Sequence, residues 1–426
     1  MDRRLQTRYF KLVKSHMRTV PSSAAGIKSM PDTSQAFAAT QAAWRFLNNE
    51  RVTMPALGEP LRQAGRESVA ESHSDYALVV HDWSMLSFGK HTSKQDRLQR
   101  THEGDVGYDL YTALLVDANT GSPLAPMALR LRTAHEILDT EAEPLCETVH
   151  LEQIGPTMQA AEAWNLPRQL VHVVDREGSS VGHFRDWNAA GHCFLVRSDE
   201  RNVMHRGQER KLSAIPRLLK RDGCFEYVRD VEMQGRQRCL WVAEEEVVLH
   251  RPAKHWEGDR QVERPGYPLA VRLVVARLTD HNGRKVAEWW LLTNVAAEVS
   301  GVQIAEWYYW RWRIESYFKL VKTGGCDIER WEQKSGLAIA RRLCVAAMAC
   351  VVAWRLERAE TPETRELSQV LVRLSGRQMK RSRPVTASAV LAGLMVFLPM
   401  LELLEHHDVS TLKAIASQIL PWADTS

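Results

Sequence analysis

Short apolar runs separated by polar turns predict β-strands between residues 76 and 174. The runs are Tyr76–His81, Asp109–Val116, Ala128–Arg132 and Leu170–Val174. The second and third flank the turn Asn119-Thr120-Gly121, so they are expected to form a hairpin. A helical stretch around Thr157–Asn165 precedes the fourth run. The pattern therefore favours an α/β unit in this part of the chain.

Strand-like alternation continues from residue 196 to about residue 293. Its clearest segments are Cys239–Val242, Glu246–Leu249, Ala270–Leu278 and Glu288–Thr293. A region of roughly 90 residues is much longer than an ordinary connection inside a compact α/β unit. It is expected to be a β-rich insertion.

The two ends of the chain are predicted to be helical. Residues 1–70 are expected to include a helix over Gln35–Phe46. Basic residues that precede this helix belong either to a solvated helical cap or to a DNA contact: Lys11, Lys14, Arg18 and Lys28. After Thr293, the periodicity of apolar residues predicts one helix over Gln303–Lys322, another over Leu337–Arg358 and further helices between 363 and 420.

Composition places the chain among globular proteins. Of its 426 residues, 44% are apolar and 25% charged, with a net charge of +4 and a pI near 8.6. This mildly basic balance permits a polyanionic partner without requiring one. Seven scattered cysteines without a Cys-x-x-Cys pair predict neither a disulfide framework nor a cysteine-based zinc site.

No apolar signal core follows the basic N-terminus, and two apolar runs are shorter than the ~20 residues that span a bilayer. These runs are Leu343–Trp354 and Thr386–Met400. They are predicted to be buried helices. A reduced, cytoplasmic protein without a membrane partner is expected.

Asp82 and Asp175 each follow a strand that has the pattern of a buried strand. Aspartate is disfavoured within strands, and polar ligand groups gather at strand ends in α/β sheets. A single aspartate in this position is more often a turn or helix cap, so the pair alone does not define a site.

A third acid lies on the helix predicted over Gln303–Lys322. Spacings of 3, 4, 4 and 3 place five polar residues on one stripe: Tyr308, Arg311, Glu315, Lys319 and Lys322. The adjoining arc is apolar and is expected to pack on a core. On its own, such a stripe could be an ordinary salt-bridged surface.

Three carboxylates on separate elements, with basic side chains beside one of them, suit metal-dependent phosphodiester chemistry. Carboxylate oxygens are hard ligands that favour Mg²⁺ or Mn²⁺ over zinc. A pair of such ions can activate an attacking oxygen and stabilise the leaving one. Arginine and lysine on the same helical face would hold backbone phosphates.

Several ordered segments carry a family resemblance. The spacing Tyr308-x2-Arg311-x3-Glu315-x6-Lys322 resembles the YREK signature of bacterial insertion-sequence DDE transposases, the hairpin-forming cut-and-paste group. Further resemblances lie at 174–177, at 289–293, at 38–52 and around Asp82, although Trp83-Ser84 stand where the family often has Thr-Thr.

The resemblance implies an α/β fold with an RNase H-like catalytic core, a five-stranded mixed sheet interrupted by a β-rich insertion and flanked by helical domains. The expected divisions are a DNA-binding domain (1–70), the first part of the core (71–195), the insertion (196–295), the second part of the core (296–335) and a helical domain for dimerisation (336–426).

The resemblance also implies residue roles. Asp82, Asp175 and Glu315 would hold two Mg²⁺ ions, which Mn²⁺ could replace. Other residues would contact the DNA backbone: Tyr308, Arg311, Lys319 and Lys322. Trp289 would hold a flipped base during hairpin formation, but Trp290 beside it leaves this assignment open.

The implied partners are double-stranded DNA with terminal inverted repeats, target DNA and a second copy of the chain in a synaptic dimer. The implied location is cytoplasmic, in a bacterium, on the nucleoid. A structure-specific nuclease and a non-catalytic DNA-binding inhibitor of transposition are the alternative functions. A basic cluster at Arg377, Lys380, Arg381 and Arg383 is either a solvated loop or a DNA contact.

Overall fold

A computed structural model describes residues 1–18, 33–141, 150–233, 235–257, 260–358, 361–377 and 385–419. Three members of the basic cluster, Lys380, Arg381 and Arg383, lie outside these residues, as does Lys28. The described part of the chain is a mixed α/β protein.

The helices lie mainly at the two ends of the chain. They are α1 (Arg3–Arg18), α2 (Thr33–Leu47), α3 (Met54–Glu71), α4 (Ile154–Glu162), α5 (Val181–Ala189), α6 (Ile215–Arg221), α7 (Gly301–Trp310), α8 (Trp312–Lys319), α9 (Gly336–Glu357), α10 (Pro362–Leu374), α11 (Ala387–His406) and α12 (Val409–Ile419). The predicted helix at Leu337–Arg358 is confirmed as α9, which begins one residue earlier and ends one residue earlier.

The strands occupy the middle of the chain. They are β1 (Tyr76–Ser87), β2 (Leu98–Gln99), β3 (Val106–Asp117), β4 (Pro123–Arg132), β5 (Ile137–Asp139), β6 (Gln169–Val174), β7 (Cys193–Arg197), β8 (Asn202–His205), β9 (Gln208–Lys211), β10 (Glu226–Met233), β11 (Arg236–Leu249), β12 (Ala253–Glu257), β13 (Arg260–Arg264), β14 (Leu269–Thr279) and β15 (Lys285–Thr293). All four strands predicted before residue 175 are present, and β3 and β4 form the predicted hairpin.

One sheet runs through nearly all of these strands, in the order β5-β4-β3-β1-β6-β7-β15-β14-β11-β8-β9. Strands β1, β6 and β7 are parallel to one another, whereas β3 and β4 are antiparallel to their neighbours. The β-rich region after residue 196 adds its strands to the same sheet through the antiparallel pair β7–β15. Only β12 and β13 pair separately.

The two faces of the sheet bury different cores. Val80 and Val173 belong to a core shared with the terminal helices and with α7–α9. Val79 and Val174 point to the opposite face, where α4 and α5 contribute. Because side chains alternate along a strand, this division fixes the face to which each functional side chain projects.

The hairpin β3–β4 anchors the first helix after the insertion. Trp307 donates its indole N–H to the carbonyl of Ala118 at 2.9 Å. Gly121 turns the chain with a φ of +67°, and a Cβ there would lie 2.5 Å from the ring of Trp310. This close approach requires glycine and holds α7 over the sheet.

Two helices, α9 and α11, are long and apolar enough to cross a membrane by length and composition. Both exceed the apolar runs from which they were predicted, at 22 and 20 residues. The apolar window of α9 is 83% buried inside the protein and that of α11 is 29% buried. Core helices of soluble proteins have the same composition, so these two helices are weak evidence for a membrane protein.

Candidate active site

Asp82 and Asp175 lie side by side on neighbouring parallel strands. The last registered pair of β1 and β6 is His81 with Val174, so the next residues along the two strands are the two aspartates. Both follow the alternation that points Val80 and Val173 toward the face of the sheet covered by α7 and α8.

Asp82 does not end its strand, contrary to the sequence prediction. Strand β1 continues to Ser87 because it pairs along its whole length with β3, where Asp82 lies opposite Thr112. Only the parallel pairing with β6 stops at His81. Asp82 therefore lies where the sheet loses one of its two neighbouring strands, and this exposes its carboxylate on that side.

Glu315 comes from α8, and the single helix predicted over Gln303–Lys322 is in fact two. The break falls at Arg311, whose backbone N–H donates to Tyr308 O at 3.1 Å in a tightened turn. The apolar arc beside the polar stripe is buried as predicted. Its members are Trp307, Trp310, Ile314, Tyr317, Phe318 and Val321.

Arg311 draws the three acids together. Its Nη1 donates to Asp82 Oδ2 at 2.9 Å and lies 3.9 Å from Glu315 Oε1, while Nη2 lies 3.4 Å from Asp175 Oδ2. The Tyr308 hydroxyl donates to Asp175 Oδ1 at 3.2 Å. Three carboxylates from two strands and one helix therefore surround a single guanidinium group.

The carboxylates differ in exposure. The Arg311 side chain is only 6% exposed, whereas the side chains of Asp175 and Glu315 are 34% and 48% exposed. The site therefore opens to solvent on the side of these two acids and is closed beneath Arg311.

Burial controls the electrostatics of the site. It raises the pKa of Asp82 to about 6, although the Trp83 N–H and Arg311 both oppose the shift. Burial also raises the pKa of the Tyr308 hydroxyl, and the charge of Asp175 adds to this effect. For Arg311, burial lowers the pKa, but the surrounding acids, Asp175 foremost, raise it overall. The guanidinium thus stays charged and compensates the acids.

The chemistry of this donor set fits hard divalent cations. Three carboxylates supply only oxygen ligands, which Mg²⁺ and Mn²⁺ prefer. Among the described residues the three acids share one cationic partner, so their combined charge is only partly compensated. A divalent cation that binds among them would compete with Arg311 for the same oxygens.

The remaining residues of the predicted site lie on the helical segment that carries Glu315 and on β15, the strand beyond β7 in the sheet. Lys319 is exposed on α8. Lys322 lies in the π-helical turn that follows α8, and its Nζ is 3.9 Å from Glu329 Oε1. Trp289 packs on the core that faces the acids, whereas Trp290 packs on the opposite face and donates its indole N–H to Glu288.

A groove of about 510 Å³ opens beside Asp82. Trp83 and Met85 of β1 form part of its wall, and Arg100, which follows β2, and Arg132, the last residue of β4, also line it. Arg100 is paired with Asp105 at 2.7 Å and with Asp109 at 3.2 Å. The groove leads from the protein surface to the first acid.

A second groove, of about 350 Å³, lies between α1 and α2 and the turn after α2. Four arginines line it: Arg4, Arg8, Arg45 and Arg51. The basic residues predicted for this region were different ones: Lys11, Lys14, Arg18 and Lys28. The four-residue spacing of Arg4 and Arg8, which puts both on one helical face, was the available signal.

The arginine groove is fixed to the rest of the protein. Tyr9 and Leu12, on the buried face of α1, join the same core as the C-terminal helices. Arg341 of α9 donates to the carbonyl of Leu47, the last residue of α2, at 2.8 Å.

Comparison with known families gives one finding at this end of the chain. A family described as transposase DNA-binding matches residues 1–52, which include the whole arginine groove. No curated protein matches the chain. The match supports a DNA transposase in general, with DNA as a partner, and does not extend to the acids.

Removing arginines from this groove is expected to weaken DNA binding and to make the remaining binding less sensitive to salt. Each phosphate contact contributes about one unit to the slope of log K against log salt. Arg45→Gln and Arg51→Gln should each reduce the slope by about one unit, measured by fluorescence anisotropy on DNA that flanks the gene. Arg221→Gln is a matched control, because Arg221 is exposed on α6 and, in the described part of the chain, forms an ion pair only with its neighbour Asp222. An unchanged slope in the Arg45→Gln/Arg51→Gln double variant would contradict the assignment of this groove to DNA binding.

Proposed function

We propose that this protein is a DNA transposase that cuts and rejoins DNA with two Mg²⁺ ions held by Asp82, Asp175 and Glu315, and that Mn²⁺ substitutes for Mg²⁺. The observation that carries the proposal is the convergence of these three acids, from residues far apart in the chain, on the guanidinium group of Arg311. The transposase DNA-binding match at residues 1–52 supports the same class.

The proposal includes an RNase H-like catalytic core. Five adjacent strands, in the order β4-β3-β1-β6-β7, form a mixed segment of the sheet and support it. Asp82 lies on its central strand, Asp175 follows the next one, and Glu315 enters on α8 after the inserted strands. The β-rich region at 196–295 would then be an insertion that widens the core sheet.

Bound metal would activate the attacking oxygen and stabilise the leaving oxygen of the phosphodiester. The protein's own residues supply the rest. Tyr308 orients Asp175 by hydrogen bonding. Arg311 partly compensates the charge of the acids and is proposed to contact a phosphate once metal binds the acids, and Lys319 and Lys322 continue this positive stripe along the helix.

The full proposed reaction is cut-and-paste transposition: nicking at the element end, hairpin formation and opening, and strand transfer to target DNA. Trp289 is the residue proposed to stack on a flipped base, because it faces the same side of the sheet as the acids whereas Trp290 faces the other side.

The proposed partners are terminal inverted repeats, target DNA and a second copy of the chain. The helical region at 336–426 is proposed to dimerise. Several exposed apolar side chains of α11 support this: Val396, Met400, Leu401 and Leu404. Apolar surface of this kind is common at protein interfaces.

A strand-transfer assay tests the function. The full-length protein is incubated with labelled DNA that spans the borders of the gene, with a target plasmid, and with Mg²⁺, Mn²⁺ or EDTA. We expect cut ends and joined products with either metal and neither with EDTA. Cut ends without joined products would favour a structure-specific nuclease, and metal-independent binding without any cutting would favour a non-catalytic inhibitor. Either result contradicts the proposal.

A further inference from the structure

A second group of metal-ligating side chains lies on the face of the sheet opposite to the three acids. His172 of β6, His192 before β7 and Glu162 at the end of α4 present one donor atom each, and all three atoms lie within 4.8 Å of one another. Glu162 Oε1 is 3.9 Å from both His172 Nε2 and His192 Nδ1. Their contributions come from three separate elements of the chain.

Both imidazole nitrogens that face Glu162 are buried without a hydrogen-bond partner among the described protein atoms. His172 is 0% exposed and His192 is 7% exposed. Leaving a buried polar nitrogen unpaired costs about 1–3 kcal/mol. Two such nitrogens directed at one carboxylate form an arrangement that a single bound cation would satisfy.

The ring of His172 is already oriented by a hydrogen-bonded chain. Its Nδ1 lies 2.9 Å from His81 Nε2, and His81 Nδ1 lies 2.7 Å from the Tyr111 hydroxyl. Metal-binding histidines usually use their second ring nitrogen in this way, because the outer hydrogen bond fixes the orientation of the ring. This arrangement leaves His172 Nε2 as the atom that faces Glu162.

The protonation states suit metal binding. Burial lowers the pKa of His172 well below its usual value, and His81 and His192 act in the same direction. Burial also lowers the pKa of His192. Both rings are therefore neutral at pH 7, as a metal ligand requires. Burial raises the pKa of Glu162, and a cation bound beside the carboxylate would act in the opposite direction.

We propose that His172, His192 and Glu162 bind one divalent transition metal, of the Zn²⁺ class. Two imidazoles and one carboxylate form a donor set that suits zinc, whereas Mg²⁺ prefers oxygen ligands alone. Zinc bonds of about 2.0–2.2 Å place tetrahedral donors roughly 3.3–3.6 Å apart, so the group needs only a small contraction. Movement of Glu162, whose side chain is 46% exposed, can shorten its two 3.9 Å separations, and the two imidazole nitrogens, which lie within 4.8 Å of each other, need to approach as well.

The site would connect α4, β6 and the start of β7. Its ligand His172 lies three residues before Asp175, and His81 immediately precedes Asp82. A metal in this position would therefore stabilise β6 directly, and β1 through the hydrogen bond between His81 and His172, from the face that the proposed catalytic aspartates do not use. This inference goes beyond the proposed function and does not depend on it.

The experiment measures zinc directly, without DNA and without activity. The full-length protein is stripped of metal, held in excess Mg²⁺ to occupy hard oxygen sites, and titrated with Zn²⁺ against a competing chelator. Co²⁺ absorption reports nitrogen ligation. We expect one Zn²⁺ per chain, a rise in Tm on binding, and Co²⁺ bands that Zn²⁺ removes.

Variants assign the site. His192→Gln should lose the bound Zn²⁺, and Glu162→Gln should bind it at least about tenfold more weakly. Glu162 is half exposed, so its variant is expected to fold, which circular dichroism checks. His73→Gln, at an exposed histidine, and Asp175→Asn should each retain one Zn²⁺. No Zn²⁺ binding by the unsubstituted protein, or unchanged affinity in both His192→Gln and Glu162→Gln, would overturn the proposal. Loss of Zn²⁺ in Asp175→Asn alone would place the ion at the other site.

Discussion

Asp175→Asn is expected to lower the rate of DNA cleavage by about a thousandfold or more, because a lost metal ligand removes several kcal/mol of transition-state stabilisation. The substitution removes the charge but keeps the shape of the side chain. An asparagine oxygen can still accept from the Arg176 N–H, at 2.6 Å from Asp175, and from the Tyr308 hydroxyl. The fold and DNA affinity should therefore change little. The measurement is single-turnover cleavage of gene-border DNA in Mg²⁺, with affinity measured in parallel.

Asp199→Asn is the matched control for Asp175→Asn. The Asp199 side chain is 51% exposed, and its ion pair among the described residues is the surface pair with Arg176, at 2.9 Å. An exposed pair of this kind contributes at most about 1 kcal/mol to stability. Cleavage by this variant should equal that of the unsubstituted protein. Cleavage that survives in Asp175→Asn would remove that acid from the proposed site.

Asp82→Asn is expected to stabilise the metal-free protein at neutral pH while it abolishes cleavage. Burial raises the pKa of Asp82 from 3.8 to about 6, so the folded state prefers the protonated carboxyl. The protonated carboxyl therefore stabilises the folded state fully below pH 4, and this stabilisation is lost as the pH rises through 6. The shift corresponds to about 3 kcal/mol of unfolding free energy, at 1.36 kcal/mol per pKa unit. Asparagine does not ionise, so the variant avoids this cost.

The measurement is urea unfolding in EDTA across a series of pH values. The stability gained in Asp82→Asn should grow between pH 4 and pH 7 and then level off. Asp105→Asn provides a control of opposite sign, because hydrogen bonds from Arg100 and Thr101 lower the pKa of Asp105 to about 2. The ionised Asp105 stabilises the fold above its usual pKa, so its removal should destabilise the protein at neutral pH. A stability difference for Asp82→Asn that is independent of pH would refute the electrostatic account of the site.

The positions of the acids could be predicted from sequence because strands and their ends leave a local pattern. The apolar runs before Asp82 and Asp175 correctly located β1 and β6. The full length of β1 was not predictable in the same way. Its last residues have a mixed burial pattern, and they remain in a strand because β3 pairs with them. Pairing with a distant strand is a tertiary effect that a local pattern does not contain.

The break at Arg311 was also beyond the sequence. The stripe from Tyr308 to Lys322 has unbroken helical spacing, with neither glycine nor proline until Gly324. The chain tightens at Arg311, whose guanidinium reaches acids on two strands of the sheet. A pattern that is perfect for one helix cannot reveal a contact with another element.

The histidine cluster was missed although a signal was present. His81 and His172 stand inside apolar strand runs, where a buried ionisable side chain needs a partner. His192 and Glu162 lie in unremarkable contexts in the sequence, and only folding places them beside His172.

The bond from Arg341 to Leu47 and the core shared by α1 and α9 have a geometric consequence. Because α1 shares one packed core with α9, it cannot move as a domain on a flexible linker. Under the proposed function, DNA gripped between α1 and α2 would meet the acids at a fixed offset. The dimensions of the fold would then set the number of base pairs between the recognised sequence and the cut.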